Sequence, residues 1–401
     1  MPNLLRCAVA LVIIIAAVFA SACTWREKPG KPDYARPLAP GAKPLREVDA
    51  ATLPELTVGV ADRERLRAGI KRSLDWLAKP VAAQRYQGHL SGFSREQIVA
   101  SLTLLDRTIA EARDDAELNR LVKSRFRAYM SVGWDDRGTV LFTGYFTPVF
   151  NARLQPDATF RFPLYRRPAD LVSTGTPGVA DNTLALRKLP DGTTAAYPSR
   201  AEIEATGLLK GQEIAWLDDA FAVYLAHVQG SAKLRLANGE LLEIGYGGTN
   251  GHPYKGIGQE LVKDGKLAAN ELSYARMVAW FHSHPDQVAE YTRRNPRFVF
   301  FQEAKGGPYG SIGQRVEPDI SLATDKGIFP PAAPVLVKTR MIVPPGQDLA
   351  KYAALRLDQD TGGAIRAPGR CDLYMGEGDE NGQRAGAQYE EGALFYLIAR
   401  E

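Results

Sequence analysis

The sequence predicts a mainly β protein that opens with a helical section. Three observations carry this. Between Asp62 and Met130, apolar residues recur at helical spacing. From Gly138 the chain becomes rich in β-branched and aromatic residues, beginning with Thr139-Val-Leu-Phe-Thr-Gly-Tyr-Phe-Thr-Pro-Val-Phe150. From Phe298 to the end, short apolar runs alternate with Gly- and Pro-bearing turns.

The N-terminus is a targeting segment. Arg6 supplies a lone charge, an apolar run follows from Ala8 to Ala20, and Ala20-Ser21-Ala22-Cys23 ends it. The run falls short of the roughly 20 apolar residues of a membrane span. Small residues before a cysteine resemble a bacterial lipobox. That resemblance implies a signal peptide over residues 1–22, lipidation of Cys23, and, with Thr24 next, the periplasmic face of the outer membrane. Simple cleavage to a free periplasmic protein is the alternative. Cys7 leaves with the signal and Cys23 takes lipid, so Cys371 remains alone and no intramolecular disulfide is expected. Residues 23–58 are rich in Pro, Lys, Arg and Ala without periodicity, and read as a flexible tether.

Three helices are expected next. The first covers Asp62 to Ala78, with Leu66, Ile70, Leu74 and Leu77 on one face and Pro80 ending it. Ser94-Arg-Glu-Gln97 has the form of a capping box and opens the second. The third spans Asp115 to Met130, with Leu118, Leu121, Val122 and Phe126 inward. In the strand that follows, Gly144 predicts a bulge or a close backbone approach. Phe160 to Tyr165, Lys233 to Leu236 and Leu241 to Tyr246 are strand candidates suited to a small barrel or sheet. Ala220 to Val228 reads as a strand or as a short helix. Ser273 to Arg294 reads as a helix divided at Pro285. The last strands are Phe298 to Phe301, Pro334 to Val337, Met341 to Val343, Tyr352 to Leu357, Cys371 to Met375 and Leu394 to Ala399.

Lys and Arg exceed Asp and Glu only by 50 − 46 = 4, which gives no basic stripe for nucleic acid. The candidate chemistry lies in carboxylates. Asp372 alternates with apolar neighbours, Asp360 precedes Gly362-Gly363, and Asp325 follows the run Ile320 to Ala323. A general acid needs a carboxyl raised towards neutrality, and apolar surroundings or a second carboxylate supply that. Taken singly, each aspartate is also an ordinary turn or cap residue. No Gly-x-Ser-x-Gly elbow, His-Glu-x-x-His or cysteine pair is present, so neither serine catalysis nor a metal is expected, and no cofactor. Gly245 to Gly258 is a second unusual run. Its glycines leave amides approachable, and Tyr246, Asn250, His252 and Tyr254 offer hydrogen bonds and ring faces that suit sugars. A tight hairpin is the plainer reading.

Several of these stretches occur together in one order: Thr143-Gly-Tyr-Phe-Thr-Pro-Val149, Val228-Gln-Gly-Ser231, Asn250-Gly-His-Pro-Tyr254, Asn295-Pro-Arg-Phe-Val-Phe-Phe301, Asp360-Thr-Gly-Gly-Ala-Ile365 and Asp372-Leu-Tyr374. From about Val140 onward the chain resembles the membrane-bound lytic murein transglycosylase A family. The resemblance implies a double-psi β-barrel built from residues 59–149, with the N-terminal helices, and 309–401. A smaller barrel-like β-domain, residues 150–308, would interrupt it and form the other wall of a glycan groove. It implies cleavage of the β-1,4 MurNAc-GlcNAc bond of peptidoglycan to 1,6-anhydro ends, with Asp372 as general acid and then base, and Asp360 and Asp325 raising its pKa and orienting it. Thr143, Gly144 and Tyr145 would border the groove, and Gln229, Asn250, His252 and Tyr254 would face it. Partners would be peptidoglycan strands, the outer membrane through Cys23, and cell-wall synthesis or hydrolysis proteins. Phe146, in place of a frequent second tyrosine, and Pro253 depart from the family pattern. A non-enzymatic glycan-binding lipoprotein is the competing reading, because similar barrels serve expansin-like proteins.

Overall fold

The computed structural model describes residues 32–57, 63–172, 185–342 and 348–400. Every element below lies within the unit Tyr34–Glu401. The signal segment, Cys23, and the turn at Pro344-Pro345-Gly346 fall outside the described residues.

The stretch read as a tether is in fact partly built into the fold. Leu45–Val48 forms strand β1, and Leu45, Ala50 and Leu53 are buried. The strand pairs antiparallel with β2, Phe126–Ser131. This also corrects the third helix, which ends at Arg125. Phe126 and Ala128 point inward while Arg127 is exposed, so the segment has strand periodicity. Phe126 fits both a helical and a two-residue spacing, and pairing with neighbouring strands decides between them.

Helix Arg63–Leu77 buries Leu66, Gly69, Ile70, Ser73, Trp76 and Leu77. Pro80 does not merely stop it; the proline starts a further helix, Pro80–Tyr86, at a position where its missing amide costs nothing. Helix Arg95–Glu111 begins at Ser94 with both halves of the capping box made.

The barrel is a closed ring. Its strands are β3 (Val140–Thr147), β13 (Ser321–Ala323), β14 (Pro334–Ile342), β15 (Leu349–Asp360), β16 (Arg370–Glu377) and β17 (Tyr389–Ala399). They run in the order β17-β14-β15-β13-β16-β3, and β3 pairs back to β17. The β13–β15 and β16–β3 pairs are parallel and the rest antiparallel, which is the mixed, crossing arrangement of a double-psi barrel. The two strands expected near Pro334 and Met341 are the single strand β14. Residues of β14 to β17 and of the N-terminal helices share one core.

A second sheet lies between β3 and β13 in sequence. It joins β4 (Val149–Arg153), β5 (Phe162–Tyr165), β9 (Glu213–Leu217), β10 (Ala232–Arg235), β11 (Leu241–Thr249) and β12 (Val299–Ala304) in the order β12-β11-β10-β4-β9-β5. A bridge from Arg166 to Phe301 brings the two edges together. A small meander, β6 (Leu171–Val172), β7 (Leu186–Lys188) and β8 (Thr194–Ala196), packs beside it. Ala220–Gln229, open between strand and helix in the sequence, is a helix with Asp219 as its cap and Gly230 in the left-handed conformation at its end. Ser273 to Arg294 divides at Pro285 into helices Tyr274–Ser283 and Val288–Arg293. Gly144 makes the close approach its position predicts. A Cβ there would lie 2.7 Å from Ala385 Cα in helix Gly378–Ala387.

Candidate active site

Strand register brings the two principal aspartates to one place. Ala323 of β13 pairs with Asp372 on one side and with Asp360 on the other. On the far side of β16, Asp372 pairs with Thr143. The carboxyls of Asp360 and Asp372 line one cleft together with Gly144, Tyr145, Gln229 and Tyr254.

The two carboxyls are treated differently. Asp360 is fully engaged. Its Oδ1 accepts from the amides of Ser311 and Thr361, each at 2.8 Å, and its Oδ2 accepts from the Tyr145 hydroxyl at 2.8 Å. Burial pushes its pKa up, and these donors pull it back. Asp372 is partly open to the cleft, but its Oδ1 is buried and has no partner. Burial raises its pKa from 3.8 to about 6, opposed by the Arg370 charge and the Thr143 hydroxyl and aided by the Asp360 charge. Burial thus outweighs the neighbouring carboxylate as the cause.

The other sequence-predicted residues separate into groups. Thr143 sits beside Asp372, and its hydroxyl accepts from Arg370 Nη2 at 3.3 Å. Gln229, at the end of its helix, accepts from the Phe146 amide at 3.2 Å and so ties that helix to β3. Asp325 does not line the cleft. Its Oδ1 accepts from Gly327 and its Oδ2 from Ala367, so it holds the 361–369 loop by the backbone. The largest cause of the raised Asp372 pKa is burial rather than a neighbouring aspartate. Asn250 is also corrected: it is fully buried, donates to the carbonyls of Pro198 and Pro296, and accepts from the Phe298 amide. Its amide knits the loop together and cannot meet a ligand. The His252 ring bonds the Tyr197 carbonyl at 2.9 Å and lies off the cleft. Asp379 is exposed in the first turn of helix Gly378–Ala387.

Arg200, His227, Asn295, Arg297 and Arg370 also line the cleft, and sequence reasoning assigned none of them to it, although Asn295 and Arg297 stand in one of the stretches that carry the resemblance. Arg370 was legible in principle, since a residue two before Asp372 on a strand shares its face. His227 and Arg200 carried no such signal, because only the tertiary fold brings them there.

The geometry can be set beside known proteins. Residues 141–302 match the family model described as the MltA specific insert domain, and residues 320–398 match the 3D domain. The membrane-bound lytic murein transglycosylase A of Escherichia coli K12 is 30% identical over 274 residues, 67% of this chain and 68% of that protein. The chain belongs to the MltA family. The MltA protein of Vibrio cholerae serotype O1 is 32% identical over 271 residues, covering 66% of this chain and 67% of its own length. A solved membrane-bound lytic murein transglycosylase from Agrobacterium tumefaciens superposes with a TM-score of 0.74 at 26% identity, over 89% of this chain and 98% of that one. The MltA insert model overlaps the second sheet, and the 3D model covers the strands that carry Asp360 and Asp372.

Proposed function

We propose that this chain is a lytic transglycosylase that cuts the β-1,4 MurNAc-GlcNAc bond of peptidoglycan without water and leaves 1,6-anhydromuramoyl ends. The observation that carries the reading is the pairing of a raised carboxyl with one oxygen unpartnered, Asp372, with a fully bonded carboxyl, Asp360, in a single cleft. The names of the MltA relatives support it.

Asp372, in its protonated form, gives its proton to the glycosidic oxygen, and the C1–O bond breaks with its electron pair on that oxygen. Positive charge develops at C1 of the muramoyl ring. Asp372, now a carboxylate, takes the proton of the C6 hydroxyl as that oxygen attacks C1. The sum consumes no water and returns Asp372 to its starting state. A two-carboxylate glycosidase needs a second group free to act as base or nucleophile. Asp360 is not free, because both its oxygens are committed to donors. Its role is to resist ionisation of Asp372 and, through Tyr145, to fix the cleft wall. Gly144, Tyr145, Gln229 and Tyr254 would border the glycan.

The test is the product. Digestion of purified peptidoglycan should give 1,6-anhydro ends by mass spectrometry. Hydrated reducing ends would replace the mechanism with hydrolysis, and binding without soluble product would favour a glycan-binding protein. The pH profile follows from the raised carboxyl. The protonated fraction of Asp372 falls above about 6, so kcat/KM should be level below that pH and drop about tenfold per pH unit above it. A profile still rising beyond pH 7 would remove Asp372 as the acid.

For location, no helix among the described residues is long and apolar enough to cross a membrane. We place the anchor at a lipidated Cys23 on the periplasmic face of the outer membrane. Two features support this: the small residues before Cys23 and the membrane-bound naming of the relatives. Cys23→Ser should release the protein from the membrane fraction.

A further inference from the structure

The cleft wall around Asp372 carries more hydrogen-bond donors than the proposed reaction uses. Arg297 lies across the Gly362-Gly363 turn, where a Cβ on Gly363 would sit 3.2 Å from its Cζ and Nε. Its Nη1 donates to the His252 carbonyl at 3.2 Å. Burial depresses its pKa, and among the described residues no carboxylate offsets that. Arg370 donates to Thr143, while its Nε is buried and unpartnered. His227 is 5% exposed. Its Nδ1 accepts from the Val299 amide at 3.1 Å and faces Arg200 Nη2 at 3.2 Å, so the ring is neutral and carries its proton on Nε2. That Nε2 is buried and has no partner. The Arg200 charge is met by Glu204 at 3.4 Å, whereas among the described residues Arg297 and Arg370 have no such ion pair.

Arg297, Arg370 and His227 line the same cleft as Asp372. A desolvated guanidinium without a counter-ion is costly, and its planar fork matches a carboxylate. The Asp360 carboxylate is occupied elsewhere, and Asp372 interacts with the Arg370 charge, while among the described residues no carboxylate acts on Arg297. A ligand carboxylate can supply the anion that Arg297 lacks.

We infer that Arg297, Arg370 and the Nε2–H of His227 form a subsite for a substrate carboxylate, the free lactyl group of a muramoyl unit that bears no peptide stem. The inference rests on the murein reading above. The lactyl group hangs from O3 of the same ring whose C1 Asp372 would serve, so it reaches the wall beside that residue. In a stem-bearing unit the same carbonyl is an amide and carries no charge. The reaction that supplies the preferred substrate is therefore hydrolysis of the amide between lactate and peptide.

The experiment compares three substrates: glycan strands stripped of peptides, the same strands with their lactyl carboxyls converted to methyl amides, and stem-bearing strands. Release of 1,6-anhydro ends by the full chain gives kcat/KM for each. The wild type should favour the free acid over the amide by about tenfold or more, as expected for charge-assisted hydrogen bonds. Arg297→Gln should bring that ratio close to one, whatever its effect on the absolute rate. Equal rates on acid and amide in the wild type would overturn the subsite. An unchanged ratio in Arg297→Gln would remove Arg297 from it, and a preference for stem-bearing strands would overturn the lactyl assignment. If no substrate yields anhydro ends, the transglycosylase reading fails instead. Titrating Asp372→Asn with acid and amide fragments then judges the subsite separately: tighter binding of the acid supports it, and equal binding overturns it.

Discussion

Asp372→Asn should lower release of anhydro-muropeptides by about three orders of magnitude, the range expected when a general acid is lost. An amide has no comparably acidic proton to give and cannot take one from C6. The same substitution should stabilise the fold at neutral pH. The reason is linkage. Folding raises the Asp372 pKa from 3.8 to about 6, so the folded state resists ionisation that the unfolded chain accepts. Below about pH 4 the residue is protonated in both states and the penalty is absent. It grows between about 4 and 6 and is complete above, where it amounts to at most about 3 kcal/mol. Denaturation of wild type and Asp372→Asn at pH 4 and pH 7.5 checks the sign: the variant should gain only at the higher pH. Loss of activity with equal loss of stability at both pH values would mean that Asp372 is structural.

Lys326→Met should destabilise the protein by about 3–5 kcal/mol at pH 7, the usual cost of removing one partner of a buried ion pair. Lys326 and Asp358 are 2% and 0% exposed and form an ion pair. Thr324 and Tyr396 each donate to Asp358 Oδ2 at 2.7 Å, and Lys326 Nζ donates to Thr324 at 3.0 Å. The network therefore joins β15, β17 and the turn after β13. Burial already pushes Asp358 up, and losing Lys326 would push it further. The deficit should accordingly shrink as pH falls and Asp358 takes a proton. Urea unfolding at several pH values measures this, and a double variant with Asp358→Leu should recover part of the loss. The site would also respond, because Thr361 Oγ1 donates to the Thr324 carbonyl and the Thr324 amide to the Asp360 carbonyl.

Much of the barrel was legible because its signals are local. The capping box at Ser94, the strand from Val140 and the close approach at Gly144 each follow from a few neighbouring residues. Boundaries failed where a residue satisfied two periodicities, as Phe126 does, or where a long-range partner captured a polar stretch, as β2 captures Leu45–Val48. The site shows the same division. Asp360, Asp372 and Tyr145 stood out beside glycines and apolar residues. Asn250 looked equally exposed in its Gly-rich run, yet three backbone groups consume its amide. Arg297 stood in a singled-out stretch, but its place in the cleft and that of His227 become visible only in the folded chain.

The ring of the barrel closes through β17, which pairs with β2, β3 and β14. Tyr145 and Asp360, 215 residues apart, meet only inside that ring. Such distant pairings form slowly, and the strand they await, β17, follows every other strand of the ring in sequence. A copy lacking β17 thus has no closed ring. Within the proposed role, a chain able to sever the wall acquires its cutting edge only once β17 has joined the ring.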